Sequence, residues 1–207
     1  MKNHEEQLAA IQEMRNMMDQ ATRFKSISGL SGMIAGLLSL LSLYMVYLQT
    51  GISPFEAEAL ERIWHGSNQI QISCIFIALL VACLGLGLYM ARRNARQAGK
   101  NVWDGSAKRL SLSLLIPVLV GGIFSVLLIR LGLVALLAPV TLLFYGRGLL
   151  SASKYTLEAI RTVGLIITGL GLLATGFLSY GLLIWALGFG LVHILYGFII
   201  YIRYERV

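Results

Sequence analysis

Six long apolar segments, none of which contains an acidic residue, constrain this chain more than any other feature. A helix that crosses the hydrocarbon core of a bilayer needs roughly 20 apolar residues. Helices are expected because lipid offers no hydrogen-bond partner to an open backbone. The sequence therefore predicts six transmembrane helices, at 28–49, 69–91, 110–129, 131–146, 162–179 and 181–202.

The composition leaves little room for a separate soluble domain. Of the 207 residues, 57% are hydrophobic and 13% are charged, whereas soluble domains are usually about one-quarter charged. Two joints between segments, at 130–132 and 179–181, are so short that the helices must return as tight hairpins. We therefore predict an all-α, polytopic membrane protein in which residues 28–207 form one bundle of three hairpins.

Basic residues are distributed unevenly between the two sides of this bundle. Of 17 Lys and Arg residues, all but Arg62 and Arg130 belong to the N-terminal segment, the 92–109 and 147–161 connectors or the C-terminal tail. Because basic loops stay in the cytoplasm, both termini are predicted to be cytoplasmic. The same rule accounts for the net charge of +7, so the charge does not indicate nucleic acid as a partner.

An amphipathic helix is predicted within residues 1–27. Between about residues 5 and 25, apolar side chains recur at three- and four-residue spacing, and charges of both signs occupy the other faces. This cytoplasmic helix could lie on the inner leaflet or on its own loops. Alternatively, it could dock a protein partner.

A second short helix is predicted at 53–64, on the external face. It begins with Ser53-Pro54-Phe55-Glu56, which is a capping box with proline at the first helical position. Glu58 and Arg62 are spaced to form an ion pair one turn apart.

One motif resembles a catalytic site. Gly29-Leu30-Ser31-Gly32 fits the GxSG pattern of rhomboid intramembrane proteases, and His193 could act as the base for Ser31. Rhomboids carry this serine in a late span, however, whereas here it opens the first. Glycine at 32 and 36 is more simply explained by close helix packing. We therefore expect no catalytic residue and no enzymatic activity.

Metal and cofactor sites are not expected. His4, His65 and His193 are predicted to lie in the cytoplasm, outside the cell and inside the membrane, respectively, whereas zinc sites need clustered ligands. Haem held by two histidines would need a second histidine within the membrane.

His193 is the one ionisable residue predicted near the middle of the membrane, where such groups are costly and often functional. Tyr196 follows it by three positions, and Tyr145 lies in the fourth segment. These three residues are candidate ligand-binding residues of a carrier. They could equally form a hydrogen-bonded part of the core.

Small residues recur on one face of several segments, and such rows allow helices to pack closely, within one molecule or between two copies. The candidate packing residues are Gly32, Gly36, Gly164, Thr168, Gly171, Gly190 and Gly197.

Four segments of the chain resemble a family of six-span membrane proteins from Bacteroidetes-type bacteria whose function is uncharacterised. They read IQEMRNMMDQATRF, SGLSGMIAGL, SASKYTLEAIR and GFGLVHILYGFIIYIRYER. The resemblance implies a location in the bacterial inner membrane. It implies no activity, substrate or functional residues.

These patterns favour a non-enzymatic membrane protein that serves as a binding, scaffold or regulatory component. Its cytoplasmic face would be formed by the 5–25 helix and the 92–109 and 147–161 connectors, and would contact a protein partner or a second copy. The alternative is a small carrier or channel for a neutral or weakly polar solute.

Overall fold

A computed structural model of the chain describes residues 29–66, 69–97 and 105–205, together with Gln7, which is helical. These ranges contain helices and no strands. Six helices are long and apolar enough to cross a membrane, which confirms the predicted all-α, polytopic fold. From the first to the sixth span, they are Gly29–Thr50, Gln69–Met90, Lys108–Arg130, Val134–Tyr155, Ala159–Gly176 and Leu178–Arg203. Apart from Gln7, the predicted 5–25 helix lies outside the described residues.

Four of the spans are parts of longer or composite helices. The second span belongs to a helix over Gln69–Gln97, and the third to a helix over Gly105–Arg130. The fourth joins the α-helix Leu137–Ala152 to a 3₁₀ turn at each end, Val134–Leu136 and Ser153–Tyr155. The sixth belongs to a composite helix that runs two residues beyond it, with the pieces Leu178–Tyr180 (3₁₀), Gly181–Trp185 (α), Ala186–Val192 (π), His193–Ile200 (α) and Tyr201–Glu205 (π).

The fourth span differs most from its predicted range of 131–146, because it continues through Gly146-Arg147-Gly148 to Tyr155. Each glycine costs a helix about 1 kcal/mol relative to alanine, but both lie against neighbouring spans. A Cβ on Gly146 would meet Thr168, and one on Gly148 would meet Leu114. Packing therefore holds the helix together where the local sequence indicated an end.

The short connecting helix also begins later than predicted, at Ala59, and ends at Trp64. The capping interactions are present in the turn before it. The Ser53 N–H donates to Glu56 Oε1 at 2.9 Å, and the Phe55 N–H donates to Ser53 Oγ at 3.3 Å. The bond from Ser53 and the Arg62 guanidinium hold the pKa of the exposed Glu56 carboxyl below its usual value.

The predicted ion pair between Glu58 and Arg62 is wrong, because Arg62 pairs with Glu56. Glu58 adopts a left-handed backbone conformation with φ of 58°. Its N–H donates to the Ser179 carbonyl at 2.7 Å. The Arg62 N–H still donates to the Glu58 carbonyl at 3.0 Å, but the left-handed residue Glu58 stands at the N-cap of the helix and its side chain forms no ion pair with Arg62. Its own N–H ties the connector to the joint between the fifth and sixth spans.

The centre of the bundle is formed by the first, fourth, fifth and sixth spans. The first packs against the sixth and the second, and the fourth packs between the third and the fifth. Leu142 and Ile167 are completely buried, and Trp185 of the sixth span joins the same core. In the most apolar stretch of the second and third spans, only 6% and 11% of the residues are buried, so these two helices lie at the periphery.

Candidate functional site

Two of the candidate polar residues meet in the middle of the bundle. The Tyr145 hydroxyl of the fourth span lies 2.9 Å from Nε2 of His193 in the sixth. His193 Nδ1 lies 2.9 Å from the Gly188 carbonyl oxygen. Since a carbonyl can only accept, Nδ1 carries the proton and donates to Gly188. In the neutral ring Nε2 then accepts a hydrogen bond from the Tyr145 hydroxyl. The imidazole, which is 8% exposed, thus has a partner for each nitrogen.

The bond from His193 to Gly188 depends on the π-helical segment Ala186–Val192 that directly precedes the histidine. A π-helix is wider than an α-helix, and the ring of His193 reaches a carbonyl five residues earlier in the chain. Glycines suit this segment because neighbours approach it closely. A Cβ on Gly188 would lie 2.6 Å from the end of the Leu142 side chain, and Gly190 lies against Leu40.

Aromatic rings extend from the histidine toward the second span. Phe189 lies against both members of the polar pair, with its ring centroid 5.0 Å from that of Tyr145 and 5.8 Å from that of His193. Trp185 packs against Phe189 with the ring centroids 4.8 Å apart and the planes tilted by 35°, and it meets Phe76 edge-on at 5.7 Å. The polar pair therefore lies at one end of a continuous aromatic row, which excludes water from its hydrogen bonds.

Tyr196, the third candidate, lies one turn after His193 and packs against the same core. The sequence spacing places it beside His193 at i, i+3, but the hydroxyl that bonds to the histidine ring is that of Tyr145. Sequence reasoning missed Gly188, Trp185 and Phe189. For Gly188 and Phe189, the sequence does show an alternation of small and large residues, Gly188-Phe189-Gly190. This alternation could be related to the site only once the helix was known to be π-helical there.

The candidate packing residues form two separate contacts. On the fifth span, Gly164 and Gly171 lie against Leu150 and Leu143 of the fourth, and Thr168 meets Gly146. On the sixth span, Gly190 and Gly197 face the first span, where their counterparts include Gly32, Gly36, Gly29 and Met33. Each row thus fixes a different pair of spans.

The chemistry available at His193 is limited by these bonds. Because Nε2 and Nδ1 are held by Tyr145 and Gly188, the ring is not placed to activate Ser31.

The described histidines do not form a metal site. His65 lies just after the short connecting helix, far from His193 along the bundle, and its Nδ1 lies 2.8 Å from the Glu61 carbonyl. Within the described ranges, no three His, Cys, Asp or Glu side chains are grouped to hold a metal ion.

A second polar region lies at the end of the bundle where the second, fourth and sixth spans finish. We call it the basic end. Its described cations are exposed, whereas Arg62 and Arg130 lie at the other end. The exposed cations of the basic end are Arg92, Arg93, Lys108, Arg109, Lys154, Arg161 and Arg203.

Comparison with known proteins found no matching family model, no similar curated protein and no similar solved structure.

Proposed function

We propose that this chain is a non-enzymatic, multi-pass protein of the bacterial inner membrane that acts as a binding, scaffold or regulatory component. In this proposal both termini and the basic end face the cytoplasm, in accord with the preference of Lys and Arg for cytoplasmic loops. A protein partner or a second copy would dock at the basic end.

The observation that carries the proposal is the contrast between the interior and the basic end. Inside the bundle, the His193 ring is satisfied by Tyr145 and Gly188. At the basic end, exposed cations come from several spans, and a binding surface needs such groups to recognise an acidic partner.

Close contacts between helix backbones further favour a binding role over transport. A Cβ on Gly36 would lie 2.6 Å from the Gly190 carbonyl oxygen, and one on Gly197 would lie 2.5 Å from the Gly29 carbonyl oxygen. Helices this close leave no space between them for a solute. The first and sixth spans therefore do not line an aqueous path along this contact.

Site-specific photo-cross-linking in intact membranes tests the docking role. A photoreactive amino acid at Arg93, at the basic end, should give a defined adduct with a second copy or one partner. The same group at Arg130, at the opposite end, is the control and should give none. Deleting residues 1–25 should weaken the adduct if the predicted 5–25 helix takes part. Equal adducts from both positions, or none from either, would contradict the proposal.

A small carrier for a neutral or weakly polar solute is the second candidate, and one observation favours it. His193 and Tyr145 lie beside a π-helical segment, and π-helical turns within α-helices are frequently found at functional sites. If solute binds there, a screen of neutral metabolites should contain one that raises the unfolding temperature of the wild type but not of His193→Ala. A screen without any such compound would count against the carrier.

A further inference from the structure

A groove of about 510 Å³ lies between the fourth and fifth spans at the basic end. Its cations come from different elements, Lys154 from the turn that ends the fourth span and Arg161 from the first turn of the fifth. Leu150 and Leu165 lie one turn deeper on the same two helices. The lining residues are Leu150, Ser153, Lys154, Glu158, Arg161 and Leu165.

The charges at the mouth of this groove are not neutralised by ion pairs within the described part of the chain, where the one ion pair joins Arg62 to Glu56. Glu158 has the sequence spacing to pair with Lys154 or Arg161, but it forms a salt bridge with neither. All three side chains are exposed. Two cations therefore remain available to an anion, with one carboxylate lowering their combined charge.

Arg147 adds a third cation to the same face of the fourth span. It precedes Lys154 by seven residues, about 10 Å along a helix, and shares its face with Leu150. It is exposed, whereas Gly146 and Gly148 on either side contact neighbouring spans. An arginine facing lipid at this depth extends its guanidinium toward the headgroups.

We propose that this groove binds an anionic phospholipid, with Lys154 and Arg161 on the headgroup phosphate and an acyl chain along Leu150 and Leu165. Charge complementarity selects the anionic headgroup. The leucines one turn below the cations favour a lipid over a soluble anion. In a leaflet the acyl chain lies below the charged headgroup, just as Leu150 and Leu165 lie below Lys154 and Arg161. This inference goes beyond the proposed docking role and does not require a protein partner.

Native mass spectrometry of the full chain, purified in an uncharged detergent, tests the site. Phosphatidylglycerol should bind more tightly than phosphatidylcholine with the same acyl chains. Lys154→Gln combined with Arg161→Gln should lower the affinity for phosphatidylglycerol about tenfold, since each basic residue near an anionic surface contributes to binding. The affinity for phosphatidylcholine, whose choline group offsets the charge of the phosphate, should fall much less. An unaltered preference for phosphatidylglycerol in the double variant would overturn the proposal.

Arg92→Gln combined with Arg93→Gln is the matched control, because it removes two charges at the same end of the bundle but on the second span. This control should still prefer phosphatidylglycerol over phosphatidylcholine. If it lost as much affinity for phosphatidylglycerol as the Lys154 and Arg161 double variant, general surface charge would explain the binding and the groove would not be a specific site. Glu158→Gln should tighten binding by removing the competing carboxylate, and weaker or unchanged binding would also refute the site. This variant keeps the test decisive if the double variant does not fold.

Inorganic phosphate, added in excess over phosphatidylglycerol, separates a lipid site from a site for a soluble anion. It should leave the bound lipid in place because it cannot use the leucine surface. Competition by phosphate would overturn the assignment to a lipid.

Discussion

A neutral histidine in an apolar bundle needs one hydrogen-bond acceptor and one donor, and His193 obtains them from two different spans. Gly188 of its own span accepts from Nδ1, and Tyr145 of the fourth donates to Nε2. Phe189 lies against both rings and keeps the pair dry. The pair thus links the fourth and sixth spans through a directional contact among otherwise apolar ones.

Replacing Tyr145 by phenylalanine should destabilise the protein by about 1–3 kcal/mol, because Nε2 of His193 would be left buried without a donor. Chemical denaturation in one fixed detergent measures the change in the free energy of unfolding. Tyr44→Phe is the control, since Tyr44 is 55% exposed on the outer surface. Equal effects of the two substitutions would show that the hydrogen bond to His193 contributes nothing measurable.

At the same scale, the sequence identified the polar residues but not their pairing. His193 could be singled out because ionisable residues are rare within membrane spans, and Tyr196 because it follows His193 by three positions. Tyr145 and His193 are 48 positions apart, however, and their contact depends on the register between two spans. Hydropathy does not specify that register, and the π-helical segment shifts it further.

At the scale of whole helices, glycines decide which spans touch. The first and sixth spans approach through Gly36 and Gly190, and the fourth and fifth through Gly146 and Gly164. Lipid tails are as apolar as leucine, so helices in a membrane gain from close van der Waals contact rather than from burial alone. The peripheral second span shows the opposite case, because a Cβ added at Gly85 or Gly87 would have no neighbour within 4 Å.

Gly36→Ala should destabilise the bundle by about 1–3 kcal/mol, as expected for an overpacked contact. Its Cβ would lie 2.6 Å from the Gly190 carbonyl oxygen and 2.9 Å from the Ile194 backbone nitrogen, and neither can move without shifting a helix. The unfolding temperature in detergent measures the effect.

Gly85→Ala is the matched control on the second span, where the added methyl group meets nothing. It should be neutral or slightly stabilising, because alanine favours a helix over glycine. If Gly36→Ala were as well tolerated as Gly85→Ala, the contact between the first and sixth spans would be looser than described.

Helix positions were predictable from hydropathy to different extents. Five spans begin and end within three residues of their predicted limits. The fourth was predicted to end at 146 because Gly146-Arg147-Gly148 interrupts an apolar run. It continues because Gly146 and Gly148 accommodate neighbouring helices while Arg147 faces outward. Local sequence contains the interruption but not the tertiary contacts that override it.

At the scale of the whole molecule, the alternation of six spans brings the described cations to two unequal ends. Arg92, Lys154 and Arg203 lie at the basic end, and Arg62 and Arg130 at the other. The short connecting helix Ala59–Trp64 packs at the opposite end, fixed by the bond from Glu58 to Ser179. This charge difference underlies both the proposed orientation and the proposed lipid site.

Labelling of single cysteines in intact bacterial cells should reveal that orientation. In a background with Cys74 and Cys83 replaced by serine, His65→Cys should react with a membrane-impermeant maleimide from outside. Arg93→Cys should react only after the membrane is opened, because the basic end is expected to be retained in the cytoplasm. His65 and Arg93 are both exposed, so a difference in labelling between the two cysteines would not be caused by burial within the protein. The reverse pattern would place the basic end outside and contradict the cytoplasmic docking role, whereas the lipid groove would keep its chemistry in either leaflet.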